Sequence, residues 1–239
     1  MTKTTRAALG FALLAASAVH ADVVVPNSAA GVEADGTFAL TATAAAGRTF
    51  QLTIAASQLS GLVGQQIVGL QWRLNGAATA AWPPANVSYT QWDVFIGPGV
   101  APSSMSNTFA SNFTGAATQV RSGGWSVSAG SFTFGSAPNA FGPTLDFTSP
   151  YLYTGGDLTV EMRFSAQSGS TTAPSFDAVL ASGGPANGWG ADFAARWTSN
   201  IAGTTGSNGN FLATNFVVPS PSVLALLGLS MAFAGRRAR

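Results

Sequence analysis

The chain has 239 residues, ten Lys and Arg against nine Asp and Glu, one histidine and no cysteine. Five of the ten cations, Lys3, Arg6, Arg236, Arg237 and Arg239, sit at the two extremes, so the interior holds five arginines against nine carboxylates. That acidic, lysine-free interior lacks the polybasic footprint of a nucleic-acid binder or of an anionic-membrane binder, and the missing cysteines exclude disulfides and thiolate metal sites.

In chain order, Lys3 and Arg6 precede an uncharged apolar stretch from Ala7 to Val19, and Val19-His20-Ala21 supplies small residues at the positions a signal peptidase reads. Residues 1–21 are therefore expected to be a secretory signal peptide cut after Ala21, with Asp22 as the first mature residue. An N-terminal helix retained as an anchor is the alternative. The single histidine, His20, falls inside this leader. A mature domain without histidine or cysteine builds neither a Ser-His-Asp nor a Cys-His nucleophile system.

Residues 22–216 form one expected domain, long enough to bury its own core. Short aromatic and β-branched bursts alternate at period two, the mark of half-buried strands. Val68, Leu70, Trp72 and Leu74 share one face, as do Trp92, Val94 and Ile96, and Leu158, Val160, Met162 and Phe164. Further strand candidates are 37–43, 48–55, 125–134, 144–148, 176–181 and 211–217. Turn signals separate them: Asp35-Gly36, Asn75-Gly76, Gly97-Pro98-Gly99, Gly123-Gly124, Gly155-Gly156 and Gly183-Gly184-Pro185. Only brief helices are expected, at Ala55–Leu59 and Met105–Phe113, and 198–209 reads as an exposed loop. The expectation is an all-β fold, an antiparallel β-sandwich or jelly roll.

Chemistry in this domain falls to carboxylates and aromatics. Asp93, Asp146, Glu161 and Asp177 lie in or beside candidate strands, yet their spacing singles out no catalytic pair of the kind a glycosidase needs. Glu161 and Arg163, two apart on one strand face, read as a solvated pair. The chain is expected not to be an enzyme. Calcium suits an extracellular domain, and Glu33, Asp35 and Asp157 are the carboxylates nearest to turns, but no Asp-rich calcium loop is present and ordinary turn aspartates are the favoured reading. No cofactor or metal is expected. Six tryptophans invite a glycan-stacking reading. Trp72 and Trp92 belong to the core by pattern, whereas Trp82, Trp189 and Trp197, among Pro, Gly and Asn, are the candidates for exposure.

The tail, 217–239, changes character. Val218-Pro219-Ser220-Pro221-Ser222 leads into an apolar run from Val223 to Ala234, closed by Gly235-Arg236-Arg237-Ala238-Arg239. No charge occurs from Val217 to Gly235, and a helix from Val223 to Gly235 would reach roughly 20 Å, short of the ~30 Å hydrocarbon core unless flanking residues help. The arginines place this terminus on the cytoplasmic side. In its order of proline motif, apolar segment and basic stop, the tail resembles the PEP-CTERM sorting signal. Ser220 stands where that family carries glutamate between the prolines, making this a variant motif. The resemblance implies export through the secretion machinery, followed by processing at Val218–Ser222 by an exosortase-type membrane enzyme. Val25-Pro26-Asn27-Ser28, Ala56-Ser57-Gln58 and Phe147-Thr148-Ser149-Pro150-Tyr151-Leu152-Tyr153 are similar to segments of uncharacterised exported bacterial proteins that carry the same kind of tail.

Together these readings lead to an expected exported protein of the bacterial cell envelope or extracellular matrix, structural or adhesive, held at the membrane by its tail before or without processing. Extracellular polysaccharide is the partner this implies. A carbohydrate-binding module is the second reading, and a carboxylate-dependent glycan hydrolase or lyase the third.

Overall fold

Strict alternation along Leu158–Phe164 places Leu158, Val160, Met162 and Phe164 on one face of a strand, and pairing on both sides makes that strand the centre of the largest sheet. The computed structural model describes residues 22–40 and 45–219. Ala21, Ser220, Pro221, Ser222, Arg236, Arg237 and Arg239, and with them most of the leader and tail readings, lie outside the described residues.

In chain order the strands are β1 (Val23–Val25), β2 (Gly36–Phe38), β3 (Arg48–Ile54), β4 (Gln66–Gln71), β5 (Val87–Tyr89), β6 (Trp92–Pro98), β7 (Thr118–Arg121), β8 (Trp125–Val127), β9 (Leu145–Leu152), β10 (Leu158–Phe164), β11 (Gln167–Ser168), β12 (Phe176–Val179), β13 (Phe193–Thr198), β14 (Ser207–Asn208), β15 (Phe211–Leu212) and β16 (Thr214–Val217). Every ladder among them is antiparallel. They form a six-stranded sheet in the order β14-β13-β3-β10-β6-β7 and a four-stranded sheet β1-β16-β4-β9. Two three-stranded sheets, β11-β5-β8 and β15-β12-β2, complete the set. Among the described residues helix is confined to short 3-10 segments, such as Ala56–Leu62 and Phe109–Asn112. The fold is all-β.

Register explains the core. Phe50, Leu52 and Ile54 of β3 lie opposite Met162, Val160 and Leu158 of β10, which lie opposite Val94, Ile96 and Pro98 of β6. On the other side of β3, Trp197, Ala195 and Phe193 of β13 continue the same rows. Val25, Ile67, Leu70, Leu145 and Phe216 of the four-stranded sheet join this one buried cluster. Each such side chain, fully removed from water, contributes about 1.5–3 kcal/mol before entropy is charged against it. An aromatic knot ties the smaller β5/β8 sheet on: Trp92 stacks on Phe164 at 4.3 Å and meets Tyr89 and Trp125 edge-on at 4.6 and 4.8 Å.

The opposite face of β3, β10 and β13 is polar yet also buried, because the segment from Gly99 to Thr114 is strapped across it. Asn112 Nδ2 donates to Gln51 Oε1 at 2.6 Å, and Gln51 Nε2 donates to Phe109 O and to Glu161 Oε2. Arg196 Nε donates to Asn107 Oδ1, and the guanidinium also donates to Met105 O. Two local features bear on the turns and edges. Gly47, at φ 67°, is where the chain enters β3, and a Cβ there would lie 2.4 Å from Phe164 O. Pro150 is carried by β9, an edge strand that pairs only β4.

Candidate functional site

Seven of the nine carboxylates accept hydrogen bonds from the domain itself. Asp177 is the most buried of them. Arg73 Nε donates to its Oδ2 at 2.8 Å and Ala34 N–H to its Oδ1 at 3.0 Å, and the ion pair is 1 % exposed or less on both side chains. Burial pushes the Asp177 carboxyl above its ordinary value, although the Arg73 bond and charge and the Ala34 donor pull the other way. Arg73 also donates to Ala29 O and Val32 O at 2.7 Å, so the pair fastens residues 29–34 to the β4 end of the sheet. Glu161 is not the solvated group expected from its strand position. It is 4 % exposed, accepts from Gln51 Nε2 at 2.8 Å and from Arg163 Nε at 2.6 Å, and is roofed by the Gly99–Thr114 segment. Only Arg163 of that pair reaches solvent.

One cleft, of about 510 Å³, gathers Glu33, Asp35 and Asp192 with Gln58 and Asn187 beside the apolar Val179 and Phe193. Glu33 and Asp35 come from the loop ahead of β2, and Asp192 from the turn ahead of β13. Their chemistry is largely committed. Glu33 Oε1 accepts Gly76 N–H at 2.5 Å, while Asp35 Oδ1 accepts Leu180 N–H and Oδ2 accepts Asn187 Nδ2. Asp157, the third calcium candidate, is not in this cleft; its Oδ1 accepts Ala56 N–H. Among the described residues no three Asp or Glu converge to hold a metal ion. The remaining hydrolase candidates, Asp93 and Asp146, both act on the Arg121 guanidinium. Asp93 accepts from Gln91 and from Gly123 N–H, and Asp146 is an exposed residue of β9. Neither lines the cleft.

The tryptophans correct a second expectation. Trp82 is 3 % exposed, not presented to solvent: its indole packs against Phe132 and Phe176, and its Nε1 donates to Thr172 O at 2.8 Å. Trp189 is half-buried, donates to Gly209 O at 3.1 Å, and has the Arg196 guanidinium 5.6 Å from its ring. Trp197 is half-buried too, with Phe38 edge-on at 5.8 Å and Arg48 over its ring at 4.6 Å. Proline- and glycine-rich neighbours mark a loop, but they do not say which way the ring turns. Here burying an indole and satisfying its N–H outweighs exposure. A flat sugar platform needs a free aromatic face, which Trp82 does not offer, while Trp189 and Trp197 keep part of their surface exposed. Trp72 and Trp92 are fully buried.

One constellation was invisible to sequence reasoning. Asp22 Oδ1 accepts Val218 N–H at 3.1 Å, and its Oδ2 accepts Asn215 Nδ2 at 3.0 Å, joining residues almost two hundred positions apart. The fold also runs beyond the expected boundary at 216/217. Val217 closes β16, and Val218, read from sequence as the first residue of the sorting motif, has its side chain buried in the core. No helix among the described residues is long and apolar enough to cross a membrane. No family model, no curated protein and no solved structure matches this chain.

Proposed function

We propose that this chain is an exported bacterial surface or extracellular-matrix protein with a structural or adhesive role, delivered by an N-terminal leader and sorted through its C-terminal signal. The observation that carries the reading is the tail: Val217 to Gly235 is free of charge, opens with Pro219 and Pro221, and stops at Arg236, Arg237 and Arg239. An exosortase-type membrane enzyme is the partner, acting on the variant motif around Ser220. The domain between the labels is an antiparallel β-sandwich or jelly roll, a reading supported by two larger sheets that feed one continuous core. Its polar groups serve its own architecture. Carboxylates tied to backbone N–H groups and to arginines suit a rigid building block better than a reaction centre.

Mass spectrometry of the protein recovered from cell fractions tests this. The expected species begins at Asp22 and ends within or just after Pro219-Ser220-Pro221. A chain still carrying Arg239 in the membrane fraction would replace sorting by simple anchorage, and one that retains Met1 to Ala21 would replace leader removal by an N-terminal anchor.

A further inference from the structure

The two ends of the folded domain meet. β1 lies against β16 with Val23 opposite Phe216, Val24 opposite Asn215 and Val25 opposite Thr214. Because the pair is antiparallel, the start of β1 and the end of β16 share one end of the ladder. Past Phe216 a side chain takes over from the main chain, with Asp22 Oδ1 receiving Val218 N–H at 3.1 Å. The same carboxylate receives Asn215 Nδ2, and Asn215 donates at 2.7 Å to Gln71 Oε1 on β4, so the chain of bonds crosses into a third strand.

We propose that Asp22 is a positioning residue for processing of the tail: it clasps the chain at Val218 and so sets the innermost point at which a peptidase can engage it. The inference rests on the proposed sorting at the C-terminal signal. A peptidase takes its substrate as an extended, undocked segment. Residues up to Val218 do not meet that need, since the Val218 side chain is packed in the core and its N–H is held. Pro219 has no N–H and cannot prolong β16, so the clasp ends where the proline motif begins. The partner is thus a peptidase or transpeptidase that works C-terminal to Val218, at the pole where β1 starts. Asp22 is also the residue that leader removal makes N-terminal, which puts both cuts beside one carboxylate.

The test uses the full-length chain produced in an exporting bacterium and purified in detergent, as wild type and as Asp22→Ala, Asp22→Asn and Asp146→Ala. Asp146 serves as the control because it is exposed and remote from β1 in the four-stranded sheet. Elastase, which cuts after small aliphatic residues, is added at limiting amounts and the cuts are mapped by mass. Loss of a charge-assisted hydrogen bond sets the expectation at about tenfold faster cutting after Val217 in Asp22→Ala, the Val218–Pro219 bond being closed to elastase by its proline. Asp22→Asn, which keeps one acceptor oxygen for Val218 N–H, falls between, and Asp146→Ala matches wild type. In cells the Asp22→Ala protein ends raggedly, upstream of Pro219. Equal rates in Asp22→Ala and wild type overturn the clasp, as does an equal acceleration at interior sites, which marks general loosening. The C-terminal masses of the chains recovered from cells report the sorting reading separately: an intact Arg239 throughout the wild type sinks sorting, while the comparison at Val217 still decides the clasp.

Discussion

At the scale of single residues, the buried Arg73–Asp177 pair is the group whose removal the domain tolerates least. Each side chain is almost wholly out of water, and each partner leaves the other uncompensated if deleted. Asp177→Ala is therefore expected to cost about 3–5 kcal/mol, a fall in melting temperature of roughly 10 °C for a domain of this size. The double change Arg73→Met with Asp177→Leu removes both charges and should recover most of that loss. A double variant no better than the single one would show that the bonds from Arg73 to Ala29 and Val32, and not the charge pair, hold this corner. Asp177 also has a pH signature. Burial, outweighing Arg73, raises its carboxyl above the ordinary value, so the folded chain holds that proton more tightly than the unfolded chain does. Its contribution to stability is full below the unfolded value of about 4 and is lost as pH rises through the folded value. The melting temperature of wild type minus that of Asp177→Asn should accordingly grow as pH is lowered from 7 toward 4. A difference that shrinks on acidification would mean that Arg73 wins over desolvation.

At the scale of elements, the strap from Gly99 to Thr114 turns the polar side of the large sheet into a second interior. Asn112 is its keystone, because its amide meets Gln51 Oε1, Ser106 O and Ser106 N–H at 2.6 to 2.9 Å. Asn112→Leu takes this partner from the buried Gln51 side-chain carbonyl and from the half-buried Ser106 groups. The expected cost is about 2–4 kcal/mol, with faster hydrogen exchange at Ser106 and Phe109 than in the β3/β10 ladder. Uniform exchange across both would show that the strap and sheet open as one. This element also shows how far sequence pattern reaches. β6 and β10 are legible from alternation, since one face of each carries only apolar side chains, and β3 nearly so, with Arg48 ahead of Phe50, Leu52 and Ile54 on its core face. β13 is not: Phe193-Ala194-Ala195-Arg196 is buried on both faces and offers no alternation, and its alanines have little strand preference. Within the strap, Met105–Phe113 reads as a brief helix, and only the 3-10 turns Pro102–Ser104 and Phe109–Asn112 form there. Its role depends on Gln51, Glu161 and Arg196, which lie far away in the chain. Asp22 with Val218, and Arg73 with Asp177, are hidden for the same reason: pairing at long range leaves no local periodicity. Trp82 misleads because turn residues describe the backbone and not the burial of the ring.

At the scale of the whole molecule, charge is arranged so that processing is readable without knowing any ligand. The full sequence has ten Lys and Arg against nine carboxylates and an isoelectric point near 8.2. Removing residues 1–21 takes away Lys3 and Arg6 and leaves eight cations against nine carboxylates. Removing the tail alone takes away Arg236, Arg237 and Arg239 and leaves seven, while removing both leaves five, all arginine. Each state therefore carries a different net charge, and no acidic group is lost in any of them, because all nine lie between Asp22 and Asp192. Unfolded in denaturant, where the fold no longer acts on any carboxylate, the doubly processed form should focus at about pH 4–5, more than three units below the precursor. Isoelectric focusing of envelope and medium fractions, followed by intact mass, thus counts which label has gone. A basic species alone in every fraction would contradict processing at either end. A single species of intermediate charge would assign the cut to one label, and the mass would say which. Such a shift would carry a physical consequence for any surface that the processed form meets. A domain with net charge −4 and no lysine has little attraction for anionic polymers or headgroups, and its contacts fall to neutral hydroxyl and amide groups. Raising the salt concentration from 0.05 to 0.5 M should then leave retention on an extracellular polymer nearly unchanged. Elution by salt would instead require a cationic partner for the nine carboxylates.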